Sequence, residues 1–178
     1  MSLQPNVSFE FFPPKSLDAS FRLWDTVQTL ASLEPRFVSV TYGAGGTTRK
    51  LTHEAVETIH SHYGLNVAAH LTCVDASRAE TLEIAQAYAQ AGVREIVALR
   101  GDPPNGAHEF TPHPDGFQNS CELISALDRV GSFDIRVSAY PDMHPEASDP
   151  DADVTWLKRK VDAGASSAIT QFFFEADS

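Results

Sequence analysis

Polar residues that could do chemistry recur along this chain at intervals of about 30 to 40 residues, and the first is a carboxylate. Glu10 stands in Ser8-Phe-Glu-Phe-Phe-Pro-Pro14. A carboxylate among three phenylalanines is poorly solvated, and desolvation raises a carboxyl pKa. A general acid is kept protonated near neutral pH in this way. The plainer reading has Glu10 facing solvent or paired with a basic residue. Thr41 follows in Thr41-Tyr-Gly-Ala44, and His70 stands in Ala68-Ala-His-Leu-Thr-Cys73. A lone histidine in an apolar run is either a ligand or a satisfied core residue. Arg100-Gly-Asp102-Pro-Pro104 sets opposite charges around a glycine that lets backbone approach a ligand, or simply makes a turn. Tyr140 opens Tyr-Pro-Asp-Met-His144-Pro-Glu146, and Gln171 precedes Phe172, Phe173 and Phe174. A glutamine buried among aromatics needs partners, and a ligand heterocycle can supply them.

Each of these residues sits in or just after a β-rich run: Val7–Phe12, Phe37–Tyr42, Val67–Cys73, Glu95–Arg100, Ile135–Tyr140 and Ala168–Phe174. Several runs are apolar on successive residues, as in strands buried on both faces of a parallel sheet. Helical patterns fill the gaps. Ser77-Arg-Ala-Glu80 reads as a capping box. Gly64, Gly92, Gly131 and Gly164 stand where helix C-cap glycines belong. The first helix is expected over Leu17–Leu33, the others over Thr52–Tyr63, from Ser77 to Gly92, Cys121–Val130 and Asp153–Ala163. The irregular stretches Asp102–Gly116 and Pro141–Pro150 follow strands and precede helices, the edge that carries function in parallel α/β folds. The βα rhythm alone fits an open doubly wound sheet or part of a barrel. No G-x-G-x-x-G follows the first strand, and Gly43-Ala-Gly-Gly46 after the second is only a glycine cluster. If each polar residue lies towards the C-terminal end of its strand, Glu10, Thr41, His70, Asp102, Tyr140 and Gln171 ring one mouth. Arg159 and Lys160 on the fifth helix add positive charge, or form a solvated face.

Composition bounds the partners. The 178 residues suffice for one domain, and the net charge of −11 repels phosphate backbones, so no nucleic-acid partner is expected. Two cysteines, Cys73 and Cys121, make no disulfide framework. The first residues have no basic and apolar leader pattern, and no apolar run approaches the roughly 20 residues that span a bilayer. A cytoplasmic protein without membrane contact is expected. The oligomeric state stays open, a homo-oligomer included.

Taken in order, the motifs resemble the bacterial, flavin-dependent methylenetetrahydrofolate reductases. The match is carried by Ser8–Pro14, Val38–Ala44, His70–Cys73, Ala98–Asp102, Ala139-Tyr-Pro, His144–Ala147, Lys158–Ala165 and Ile169–Phe174. The resemblance implies a (β/α)8 TIM barrel, incomplete here with about six βα units, the single catalytic domain 1–178 lacking its C-terminal part. It implies non-covalent FAD, NADH or NADPH as hydride donor, and 5,10-methylenetetrahydrofolate as the substrate reduced to 5-methyltetrahydrofolate. It calls for no metal. By resemblance Glu10 is the acid that protonates folate N10. Asp102, also catalytic, lies near flavin and pterin, where its charge stabilises the iminium and disfavours anionic reduced flavin. Gln171 and Thr41 bind folate or nicotinamide. The flavin contacts are Tyr42, Ala44, His70, Arg100, Gly101, Asp102, Ser120, Tyr140, His144, Ala147, Asp153, Arg159 and Lys160. The cations would meet the diphosphate and Asp153 the adenosine part.

Two positions depart from the family pattern. Asn119-Ser120 stands where a Tyr-Ala pair is expected, with Ser120 still able to donate to phosphate. Trp156 stands where a smaller polar residue is expected beside the adenosine end. Two rival readings remain. In one, a metal-dependent hydrolase on the same barrel uses His70, Asp102, Asp142 and His144 as ligands. In the other, the chain is an inactive barrel fragment.

Overall fold

The computed structural model describes residues 6–42, 48–103, 109–131 and 133–174. Strands and helices alternate as β1 (Ser8–Phe11), α1 (Leu17–Ala31), β2 (Phe37–Val40), α2 (Arg49–Tyr63), β3 (Val67–Thr72), α3 (Arg78–Gln90), β4 (Glu95–Leu99), α4 (Ser120–Val130), β5 (Asp134–Ala139), α5 (Pro150–Asp162) and β6 (Ser167–Thr170). Helix starts are set by side chains that accept otherwise unpaired N–H groups. Ser16 caps α1, Asn119 caps α4, and Asp149 caps α5 with Pro150 in its first turn. Ser77 and Glu80 form the expected reciprocal capping box on α3. The Asp149 cap explains why α5 begins ahead of the expected Asp153.

All strand pairs are parallel, and strand order in space is the order in sequence. A doubly wound sheet reverses its strand order at a switch point. This sheet does not, so the α/β architecture is a curled half-barrel of six strands, an incomplete TIM-barrel type.

Register and pleat sort the residues onto two faces. Glu10 lies opposite Ser39, Ser39 opposite Ala68, His70 opposite Val97, Val97 opposite Arg136 and Arg136 opposite Ser167. These residues share one face, because side chains alternate along a strand. The other face carries Val38, Val40, Ala69, Leu71, Ile96, Ala98, Ile135 and Val137. It packs against Leu23, Val27, Val56, Ile59, Tyr88, Leu123 and Leu127 of the helices. The main core is therefore between sheet and helices, where each fully buried aliphatic side chain contributes about 1.5–3 kcal/mol. The opposite face is polar at its lower end: Arg136 pairs with Glu95 at 2.5 Å, reaches Ser167 Oγ at 3.2 Å and lies over the Phe37 ring.

Some sequence expectations are corrected. The last strand stops at Thr170 rather than Phe174, because β5 ends at Ala139 and its carbonyl takes the last ladder bond, from Gln171 N–H. Gln171 is exposed rather than buried among aromatics, and Phe172 and Phe174 are 89% and 93% exposed. Ala44 with Gly43–Gly46, and 104–108 of the Asp102–Gly116 stretch, lie outside the described residues. Among the described residues no helix is long and apolar enough to cross a membrane.

Candidate active site

The expected site residues fall into two neighbouring groups. The first spans β1 to β3. Glu10 Oε2 accepts a hydrogen bond from Ser39 Oγ at 3.2 Å and lies 3.3 Å from His70 Nε2. That histidine nitrogen is buried, is not aligned for a full hydrogen bond to Glu10, and has no other partner among the described residues. The Glu10 side chain is 54% exposed. Contact with His70 holds its carboxyl below the ordinary glutamate range; burial pulls the other way, and Ser39 reinforces His70. The expected upward shift is thus corrected. Phe9 and Phe11 neighbour Glu10 in sequence but point to the opposite face, so its real surroundings are a hydroxyl and an imidazole. Thr41 and Tyr42 sit just past β2. The Thr41 N–H bonds Phe11 O, and its carbonyl accepts from Thr52 Oγ1 of α2. Burial raises the Tyr42 hydroxyl pKa.

The second group lines a cavity of about 1010 Å3 beyond the C-terminal ends of β4, β5 and β6. From the end of β4 come Arg100, Gly101 and Asp102; from the loop after β5, Tyr140, His144 and Ala147. Helix α4 contributes Ser120 at its first turn, α5 contributes Asp153 and Lys160, and Gln171 closes the β6 side. Several of these groups already have work inside the protein. Arg100 is held by both oxygens of Glu146, at 2.5 and 2.9 Å, which raises the guanidinium pKa and lowers that of Glu146. Lys160 is buried and donates to Ser138 O at 2.8 Å, and burial depresses its pKa. Asp153 accepts from the His144 N–H at 3.0 Å, which ties α5 to the loop after β5. His144 Nδ1 accepts from the Glu146 N–H at 3.0 Å, and its ring meets Tyr140 edge-on at 4.5 Å. Accepting at Nδ1 places the proton of the neutral ring on Nε2.

Gly101 has φ +85°, and an added Cβ would lie 2.4 Å from the Val74 side chain. Its glycine is therefore needed for close packing on the chain after β3, as well as for the cavity. Arg159 does not line the large cavity with its neighbour Lys160. Successive helix residues diverge by about 100°, and Arg159 lines a second cavity of about 470 Å3 with Arg78, Arg129 and Glu122. Trp156 and Asn119 line both cavities.

Residue-level reading missed two groups. Ser138 was legible by parity, two residues before Tyr140 on the same face. Glu146 carried no local signal, because its partner Arg100 lies 46 residues away. Among the described residues no three His, Cys, Asp or Glu side chains converge as a metal shell.

Fold and site together define a parallel α/β half-barrel with a cofactor-sized cavity beyond the C-terminal ends of its strands. The family model described as Methylenetetrahydrofolate reductase matches residues 2–178, and the chain belongs to that family. It is 52% identical over 173 residues to the 5,10-methylenetetrahydrofolate reductase of Pectobacterium carotovorum subsp. carotovorum, covering 97% of this chain and 56% of that protein. To the Escherichia coli (strain K12) protein of the same name it is 49% identical over 175 residues, 98% of this chain and 57% of that one. The Arabidopsis thaliana protein named Methylenetetrahydrofolate reductase (NADH) 1 is 34% identical over 185 residues, 98% of this chain and 31% of that one. The chain thus spans little more than half the length of these bacterial relatives.

Proposed function

We propose that this chain forms the flavin-binding part of a reductase that uses NADH or NADPH to convert 5,10-methylenetetrahydrofolate to 5-methyltetrahydrofolate through FAD. The observation that carries this reading is the large cavity, because it gathers most of the positions matched to flavin binding. Its volume is at the upper end of the roughly 300–1,000 Å3 of small-ligand sites. Its donor set fits a dinucleotide. Lys160, Arg100, the Ser120 hydroxyl and the N-terminal N–H groups of α4 suit a diphosphate. Asp153 suits ribose hydroxyls, and the loop residues Tyr140, His144 and Ala147 suit the ring system.

Bound FAD would supply the hydride relay between nicotinamide and folate. The protein's own residues bind, orient and hold protons. Glu10 is assigned the proton for folate N10. The His70 contact favours the ionised carboxyl, so delivery requires the carboxyl to take up a proton as substrate enters. A ring system that displaces water from around Glu10 favours the neutral acid. Asp102, exposed at the cavity wall, would stabilise cationic character in the opened folate. Gln171 offers an amide to pterin or nicotinamide, and Thr41 a hydroxyl to nicotinamide.

The test is direct. The purified protein, incubated with FAD and desalted, retains yellow absorbance, and NADH or NADPH bleaches it under anaerobic conditions. A protein that retains no flavin at micromolar FAD overturns the proposal.

A further inference from the structure

The two cavities meet at Trp156. This residue lines both, and so does Asn119 at the cap of α4. A half-buried tryptophan between two cavities is a large amphipathic surface with one part open to a ligand. Arg159, one helical turn further along α5, sets its guanidinium 5.7 Å from the indole centroid. The second cavity holds Arg78, Arg129 and Arg159 against a single carboxylate, Glu122, which is engaged by Arg78. In a chain of net charge −11 this is a local concentration of positive charge. A flat heterocycle carrying phosphate matches both features, since every base has a face that stacks on an aromatic ring.

We propose that Trp156 is the platform on which the adenosine half of FAD stacks, with the dinucleotide running from the large cavity past Asn119 towards Arg159. This rests on the flavoprotein reading above and deepens it. Trp156 thereby becomes the residue that makes this chain prefer FAD to FMN. The same adenosine diphosphate group occurs in NADH, so the test must separate the two sources.

The chain has two tryptophans, and the other, Trp24, stacks on Tyr63 with ring centroids 6.2 Å apart. A Trp24→Phe background therefore reports on Trp156 alone. In that background ADP, which has no flavin ring to take up energy from the indole, quenches the emission on stacking. Trp156→Ala weakens FAD binding about ten- to hundredfold and leaves FMN binding unchanged, which also shows that the variant is folded. Trp156→Phe recovers most of the loss. FAD affinity unaffected by Trp156→Ala, or no quenching by ADP in protein that binds FMN, overturns this inference alone. ADP that binds protein already saturated with FAD without displacing the flavin gives the platform to the nicotinamide dinucleotide and likewise overturns it. Failure of both flavins to bind removes the flavoprotein reading and this inference with it.

Discussion

At the residue scale, the Glu10 carboxylate is governed by what lies across the strands. His70 lowers its pKa and burial raises it. His70→Ala therefore shifts the Glu10 pKa upwards, and carboxyl carbon NMR titration reads the shift directly; an unchanged or lower value contradicts the assignment. The stability sign follows from the depressed pKa. Ionised Glu10 contributes stability above its unfolded pKa, and that contribution is lost as pH falls through its lower folded pKa. In His70→Ala this gain shrinks, because the folded pKa moves back towards the unfolded one. In protein extended to the relatives' full length, Glu10→Gln keeps flavin reduction by NAD(P)H. It slows folate reduction by about 10²–10⁴-fold, the usual worth of a general acid. Single-turnover traces of both half-reactions check this, and folate reduction at the parent rate removes Glu10 from its role.

At the element scale, the caps and loop glycines hold the cavity wall in place. Asn119 Oδ1 accepts from the Glu122 N–H at 3.1 Å at the start of α4. Asn119→Ala is expected to cost about 0.5–2 kcal/mol in urea unfolding. The two glycines Gly64 and Gly101 separate backbone strain from packing. Gly64 has φ +65° with nothing within 4 Å of an added Cβ, so Gly64→Ala carries only the left-handed penalty of about 1–2 kcal/mol. Gly101→Ala adds a collision with Val74 and Thr72, worth roughly 1–3 kcal/mol more. Equal losses for the two variants would show that the chain after β3 yields freely.

At the scale of the whole molecule, β1 and β6 are the outer strands of the sheet among the described residues. Unpaired strand edges invite pairing with other chains. Beside β6, Phe172 and Phe174 are almost fully exposed, in a run without charge. Such a window favours aggregation. Expressed as these 178 residues alone, the polypeptide is expected to self-associate in size-exclusion chromatography, and the same residues extended to the relatives' length to run as one defined species. Flavin binding is expected in both, because the proposed flavin cavity is built from β4 to β6, α4 and α5. A monodisperse 178-residue polypeptide with full folate turnover contradicts this expectation.

Much of the fold was legible in local pattern. The six strands, the five helices, the Ser77–Glu80 box and the polar residues at strand ends all follow from periodicity and capping, which depend on near neighbours. Strand order was not legible, because a βα rhythm is common to open sheets and barrels and only the pairing of β1 through β6 decides between them. Nor was the environment of Glu10. Sequence puts phenylalanines beside it, but the pleat turns them to the other face, and parallel pairing brings Ser39 and His70 from 29 and 60 positions away. The same holds for the paired state of Arg100, the burial of Lys160 and the parting of Arg159 from it. A residue's chemical type is written in the sequence; its solvent, partners and direction come from chain segments that only folding brings together.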